Sequence, residues 1–277
     1  MDGGAAELRE THRLVGHADR VWALAWSPNP GAGAGAGPVL ASCSGDKTVR
    51  IWKRAPDDAW HCSDVLEGVH KRTVRSCAWS PDGKLLADAS FDGTTAVWEY
   101  SGGDFECVAT LEVWADDGDG KWPCVQALSE AGNSGHSSTI WSISFNQKGD
   151  RMVTCSDDCT LKIWDTSIDL SQPTTGEVHE AWRHICTLSG YHGRTIFSVH
   201  WSSEDVIASG AGDDAICLFA EENSMDEGPS YRLILKKEKA HDMDVNCVRW
   251  CPQDPRVLAS ASDDGTVKLW ELRGGYT

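Results

Sequence analysis

From Val245 to Trp250 apolar and polar positions alternate, Pro252 to Arg256 is rich in turn formers, and Val257 to Ala261 alternates again. Asp263-Asp264-Gly265 then marks a tight turn, and Thr266 to Trp270 is a further alternating run. A period of two, punctuated by Gly, Pro and Asp, predicts short antiparallel strands, three to a unit. Apolar stretches at Asp64 to Glu67, Cys107 to Leu111, Ile185 to Leu188 and Arg232 to Leu235 predict a fourth, outer strand for units begun earlier in the chain. The seven residues after Trp270 are Gly-rich and hold no such stretch. Glu7 to Val15 is therefore expected to be the outer strand of the last unit, covering an edge that would otherwise stay open.

The unit recurs with fixed chemistry. A His, an Asp and an aromatic six residues after the Asp occur as His17/Asp46/Trp52, His70/Asp92/Trp98, His136/Asp158/Trp164, His192/Asp213/Phe219 and His241/Asp264/Trp270. The His-to-aromatic gaps are 35, 28, 28, 27 and 29 residues, and the longest contains GAGAGAG at Gly31 to Gly37. A repeat of ~40–45 residues with Gly-His near its start and Trp near its end marks the WD-type β-propeller blade. The expected fold is all-β, a single WD-repeat propeller over residues 1–277 with five complete units. Four residues before each Asp stands Ser42, Asp88, Thr154, Ser209 or Ser260. In propellers that this pattern resembles, Asp accepts from His, His meets the hydroxyl, and the hydroxyl reaches the Trp indole, tying the inner strands together. Five Ser/His/Asp sets, one per unit, cannot all be active sites, so the structural role is expected. Phe219 has no indole N–H to offer, and Asp88 puts a second carboxylate near Asp92, which weakens that unit unless Asp88 is solvated or protonated.

Composition narrows the classes of function. The 42 acidic and 25 basic residues give a formal net charge of -17, which repels nucleic acid and anionic membrane surfaces. MDGGAAELRE has no apolar core, and no uncharged run approaches the ~18 residues of a bilayer span, so a cytosolic or nuclear protein is expected. Of the eleven cysteines, Cys43 and Cys155 share one slot, Cys77 and Cys247 another, and Cys62, Cys107, Cys124 and Cys186 a third. Slots repeated on different units are expected to lie spread around a ring. The pairs Cys155/Cys159 and Cys247/Cys251 have no second pair or His at zinc-like spacing. No metal, cofactor or disulfide is expected, and with no Gly-rich phosphate loop and no non-repeating catalytic set, no enzyme.

Several stretches go beyond the generic repeat: RTVRSCAWSPDGKLLADASFDGTTAVW (Arg72–Trp98), DFECVATLE (Asp104–Glu112), CTLSGYHGRTI (Cys186–Ile196), GDDAICLF (Gly212–Phe219), and AHDMDVNCVRW with LASASDDGTVKLW (Ala240–Trp270). They resemble the WD-repeat subunit family of the cytosolic iron–sulfur assembly machinery and cover most of the chain. The resembled family has seven blades. Here DFECVATLE, an outer strand, runs into VWADDGDGKWPCVQALSE, which reads as an inner-strand end (Val113-Trp114) and a second outer strand (Cys124 to Leu128). Two outer strands in tandem imply a segment on the order of 70 residues missing at Glu112/Val113, from ~28–29 for a His-to-Trp piece and ~43 for a repeat.

The resemblance implies a non-catalytic platform, present as a single copy in a hetero-complex, that binds other subunits of the iron–sulfur targeting complex and presents client apo-proteins. Partner contacts are expected on the rim that carries the His and Asp loops, at Arg20, Arg72 and Arg194 before inner strands and at Phe91, Asp157 and Asp263 before the structural Asp. A substrate receptor of a cullin-type ubiquitin ligase is the alternative, because Trp270-Glu271-Leu272-Arg273 resembles a W-D-x-R adaptor motif with Glu for Asp. A generic peptide-reading propeller stays open, since fold does not fix function.

Overall fold

A computed structural model describes residues 5–29, 37–101, 104–111, 135–167, 182–222 and 229–275. Most of the GAGAGAG insertion, the Glu112/Val113 junction and the expected strand at Cys124 to Leu128 lie outside them. The described residues form twenty β-strands in five four-stranded antiparallel sheets.

The first sheet is β2 (Val21–Trp26), β3 (Val39–Ser44), β4 (Val49–Arg54) and β5 (Trp60–Leu66), and the second is β6 (Val74–Trp79), β7 (Leu85–Ser90), β8 (Thr95–Ser101) and β9 (Asp104–Leu111). The third is β10 (Ile140–Phe145), β11 (Arg151–Ser156), β12 (Leu161–Asp165) and β13 (Arg183–Leu188). The fourth is β14 (Ile196–Trp201), β15 (Val206–Ala211), β16 (Ile216–Glu222) and β17 (Ser230–Lys237). The fifth joins β18 (Val245–Trp250), β19 (Val257–Ser262) and β20 (Thr266–Arg273) to β1 (Glu7–Val15). Glu7 lies opposite Arg273 and Val15 opposite Thr266, with a bulge between Glu10 and His12.

The outer strands outrun their apolar stretches. β17 starts at Ser230, paired with Glu222, and β5 at Trp60, paired with Arg54. Hydrophobic pattern marks only the part of a strand that faces a neighbour, whereas the backbone ladder continues wherever a partner strand does.

Each sheet has a leading face, made by its inner strand, one second-strand residue and its aromatic, and a trailing face, made by the remaining apolar residues of its second to fourth strands. Trailing Val39, Ala41, Cys43, Val49, Ile51 and Leu66 of the first sheet pack on leading Val74, Cys77, Leu86 and Trp98 of the second. The same positions recur where the fifth sheet meets the first, the fourth meets the fifth and the third meets the fourth. These four apolar clusters order the sheets as second, first, fifth, fourth, third. Among the described residues no such cluster joins the second sheet to the third, so the five sheets form an arc that is open between those two.

Candidate functional site

The recurring side chains converge where each inner strand begins. His17 Nδ1 is 2.8 Å from Asp46 Oδ2 and Nε2 is 2.8 Å from Ser42 Oγ, while Trp52 Nε1 donates to the same Oγ at 2.8 Å. His136 meets Asp158 and Thr154, both at 2.8 Å, and Trp164 donates to Thr154 at 3.0 Å. His241 lies 2.9 Å from Asp264 and 2.6 Å from Ser260, which accepts from Trp270 at 2.8 Å. Since the indole N–H occupies the hydroxyl oxygen, the hydroxyl hydrogen points to Nε2, and Nδ1–H is left to donate to Asp. The fourth sheet has the His192 bonds to Asp213 at 2.9 Å and Ser209 at 2.8 Å, but fully buried Phe219 adds none.

The second sheet departs from the expected pattern. Asp88 is 2 % exposed, so it is not solvated. Its Oδ1 is 2.5 Å from His70 Nε2 and its Oδ2 accepts from Trp98 Nε1 at 2.8 Å, so the carboxylate replaces the hydroxyl in both contacts. His70 Nδ1 meets Thr94 Oγ1 at 2.9 Å and stands 3.6 Å from Asp92, its expected direct partner. Thr94 gives its only hydrogen to Asp92 at 2.6 Å, so Nδ1 must donate to Thr94. The hydrogen shared between Nε2 and Asp88 takes the place of the hydroxyl hydrogen of the other networks, so every acceptor around His70 is matched by a donor.

Sequence reasoning missed two members of the network. Thr48, Thr94, Thr160 and Thr266 donate to the carboxylate two residues earlier, and Ser44, Ser90, Ser156 and Ser262 accept that Asp's backbone N–H. The signal was present as S-x-D-x-T in four repeats, with Ala211 and Ala215 in the fifth copy.

The rim residues have defined places. Arg20 pairs with Asp263 at 3.3 Å across the fifth and first sheets, and Asp263 also accepts from Asn246 at 2.7 Å. Arg194 donates to its own sheet's Gly212 carbonyl and to Asp244 of the fifth at 3.1 Å. Asp157 accepts from Thr195 of the fourth sheet at 2.6 Å and from Trp141 at 3.3 Å. Arg72 donates to the Phe91 carbonyl at 2.9 Å, and Phe91 stands 51 % exposed at the open end of the arc. Four of the six rim residues thus bridge neighbouring sheets, with Arg20 and Arg194 still half or more exposed in their side chains.

Protonation favours the same network. Burial pushes Asp264 upward, but bonds from His241 and Thr266 hold it well below the usual carboxylate range, as His17 and Thr48 do for Asp46. Burial lowers His136 and His241 more than their Asp partners raise them. A depressed histidine stabilises the fold above its unfolded value of about 6.5 and loses that contribution as pH falls below it; depressed carboxylates lose theirs below about 4. Stability is therefore expected to decline from about pH 6.5 and more steeply below about 4, which urea titrations across that range would measure; a flat profile down to pH 4 would contradict the histidine assignment.

Asp264→Ala is expected to cost more than Glu271→Ala. The first strips His241 of its acceptor, about 1–3 kcal/mol for a buried group left unpaired, whereas Glu271 is bonded at 2.7 Å to Arg273 on the exposed face of β20. Thermal melts in the opposite order would remove the network from that sheet. The same pairing, with Trp270 1 % exposed, places the W-E-L-R residues in the ladder between β19 and β1.

The cysteines are not all dispersed. Burial raises Cys43 well above its ordinary value, and Cys77 bonded beside it and nearby Cys247 add to this. Cys43 on the trailing face of the first sheet packs against Cys77 on the leading face of the second. Two of the expected shared slots do not hold: Cys77 lies opposite Asp88 but Cys247 opposite Ala261, and Cys186 lies opposite Ile163 where Cys62 and Cys107 face Trp52 and Trp98. Burial likewise lifts Cys155 and Cys217 to about 12 and Cys186 to about 11, which keeps these thiols protonated and weak as nucleophiles or ligands. Among the described residues no group of three or more His, Cys, Asp and Glu is placed to hold a metal ion.

The family described as WD domain, G-beta repeat matches at residues 8–53, 60–99, 123–165 and 233–271. The first, second and fourth matches start on the outer strand of one sheet and end on or near the third strand of the next. Protein CIA1 of Arabidopsis thaliana is 46 % identical over 343 aligned positions, covering 96 % of this chain and 97 % of the relative. A probable cytosolic iron-sulfur protein assembly protein CIAO1 homolog of Chlamydomonas reinhardtii is 37 % identical over 94 % of this chain and 97 % of its own length. The probable cytosolic iron-sulfur protein assembly protein Ciao1 of Culex quinquefasciatus is 31 % identical over 94 % and 96 %. With repeat matches over more than half its length and relatives of this identity and coverage, the chain belongs to the WD-repeat family of cytosolic iron-sulfur protein assembly proteins.

Proposed function

We propose that this chain is a non-catalytic platform of cytosolic iron–sulfur assembly, which holds other subunits of a targeting complex and helps present cytosolic and nuclear apo-proteins for cluster insertion. The observation that carries this reading is the 46 % identity extending over nearly the whole of both chains. Partner contacts belong on the rim of His and Asp loops, with Arg20, Arg72, Phe91, Asp157, Arg194 and Asp263 as contact residues. The alignment to the Arabidopsis relative spans 343 positions while this chain has 277 residues, so the relative carries residues that have no counterpart here. This supports a missing segment, which we put at Glu112/Val113, and a docking surface smaller than the relative's.

The test is affinity capture of the tagged chain from cytosol beside a tagged full-length relative. Recovery of iron–sulfur assembly subunits at lower yield than with the relative is the expected result. Equal retention would refute the loss of surface, and recovery of a ubiquitin-ligase adaptor without assembly subunits would replace the proposal by the ligase reading.

A further inference from the structure

The two sheets that bound the opening of the arc show the faces that every other sheet buries. On the leading face of the third sheet, Ile140, Ile143 and Phe145 are 47 %, 57 % and 43 % exposed. Their counterparts in the fourth sheet, Ile196, Val199 and Trp201, are 0 %, 0 % and 5 % exposed, and those in the fifth, Val245, Val248 and Trp250, are 0 %, 0 % and 3 %. On the trailing face of the second sheet, Leu85 and Leu111 are 36 % and 47 % exposed, against 6 % and 5 % for Val39 and Leu66 in the first. Ala89 is exposed where Cys43 is fully buried.

These faces are the two halves of one interface. The molecule makes it four times internally, each time seating an inner-strand Val or Ile and an aromatic against small and branched residues of the preceding sheet. We propose that two copies of this chain associate head to tail, the leading face of the third sheet of one copy packing on the trailing face of the second sheet of the other. The occupant is a second copy because the complementary surface is present on the chain itself, in the residue types and register of four formed interfaces. The contact is heterologous, so it either closes as a pair through two equivalent contacts or propagates as an open chain. The single-copy state implied by the family resemblance does not extend to a form whose end faces are open.

The test uses the full chain and two variants at exposed positions, Ile143→Asp and Leu111→Asp, with circular dichroism to establish that each is folded. Sedimentation velocity across a wide concentration range is expected to show association of the parent chain. Either variant alone should associate at least about tenfold more weakly, because a charge would have to be buried unpaired at the contact. An equimolar mixture should recover a two-chain species, since one variant keeps its leading face and the other its trailing face. A parent chain that stays monomeric throughout, two variants that associate as well as the parent, or a mixture that fails to pair would each overturn the proposal.

Discussion

A chain without residues 1–15 is expected to lose more than about 4 kcal/mol of stability, or to be recovered as aggregate. Leu8 and Leu14 of β1 are 1 % and 4 % exposed, in the clusters that join the fifth sheet to the fourth and to the first. Each such side chain contributes about 1.5–3 kcal/mol by burial, and the ladder from Glu7/Arg273 to Val15/Thr266 adds its own bonds. The sum is comparable with the net stability of a domain, about 5–15 kcal/mol. Deletion also bares the edge of β20, a template for pairing with other chains. Urea unfolding of the deletion, with Leu8→Ala as a graded control expected to cost about 2–5 kcal/mol, would measure this. An unchanged midpoint for the deletion would show that β1 is dispensable.

Trp270→Ala is expected to cost about 3–5 kcal/mol, and Trp270→Phe about 1–2, because the two changes remove different things. The indole is 1 % exposed among Leu8, Leu258 and Leu272, and its N–H is bonded to Ser260. Alanine leaves a cavity, whereas phenylalanine fills most of the space and loses only the bond. The fourth sheet already lives with that second condition: Phe219 is fully buried, with Tyr191 edge-on at 5.1 Å. Equal losses in the two variants would assign the stabilisation to the hydrogen bond; a Phe variant as stable as the parent would deny the bond any net contribution.

What the sequence revealed depended on repetition. His17, Asp46 and Trp52 are legible because the same chemistry returns at the same spacing, and β1 because one outer strand was unaccounted for. The seams between sheets were not legible in this way. Ser144 Oγ accepts the Trp201 backbone N–H at 3.0 Å, and His200 Nδ1 accepts that of Trp250 at 3.1 Å. These two side chains fill one inner-strand slot that holds Ala25, Ala78 and Arg249 in the other sheets, so a bond specific to each seam leaves no period to find. Burial, with Arg249 nearby, takes His200 down to about 3, in keeping with its bare, accepting nitrogen. Asp88 was visible as a second carboxylate, but its standing in for the hydroxyl was not, because that depends on its contacts with both His70 and Trp98. The exposed rim gave the least: Arg20 and Arg194 stand where loops were expected, yet whether an arginine bridges two sheets or meets a partner is not written in its own neighbourhood in the chain.

Of the described strands, the one that completes the fifth sheet is the first to be synthesised and its mate is the last. Thr11 bonds to the carbonyl of Leu269, 258 positions further on. At roughly 5–20 residues per second, β1 waits on the order of 10–50 s for that partner to be made. During this interval it is a strand without a sheet, and its composition suits the wait: Glu7, Arg9, Glu10 and Arg13 stud it with charges of both signs, which discourages pairing with a stray edge. The first four sheets, each built of consecutive strands, can form while the chain is still growing, but the fifth must be last. Folding of this protein is thus expected to end with a long-range clasp, the slowest kind of contact to find, and the clasp is a step at which a chaperone or a second nascent chain would compete.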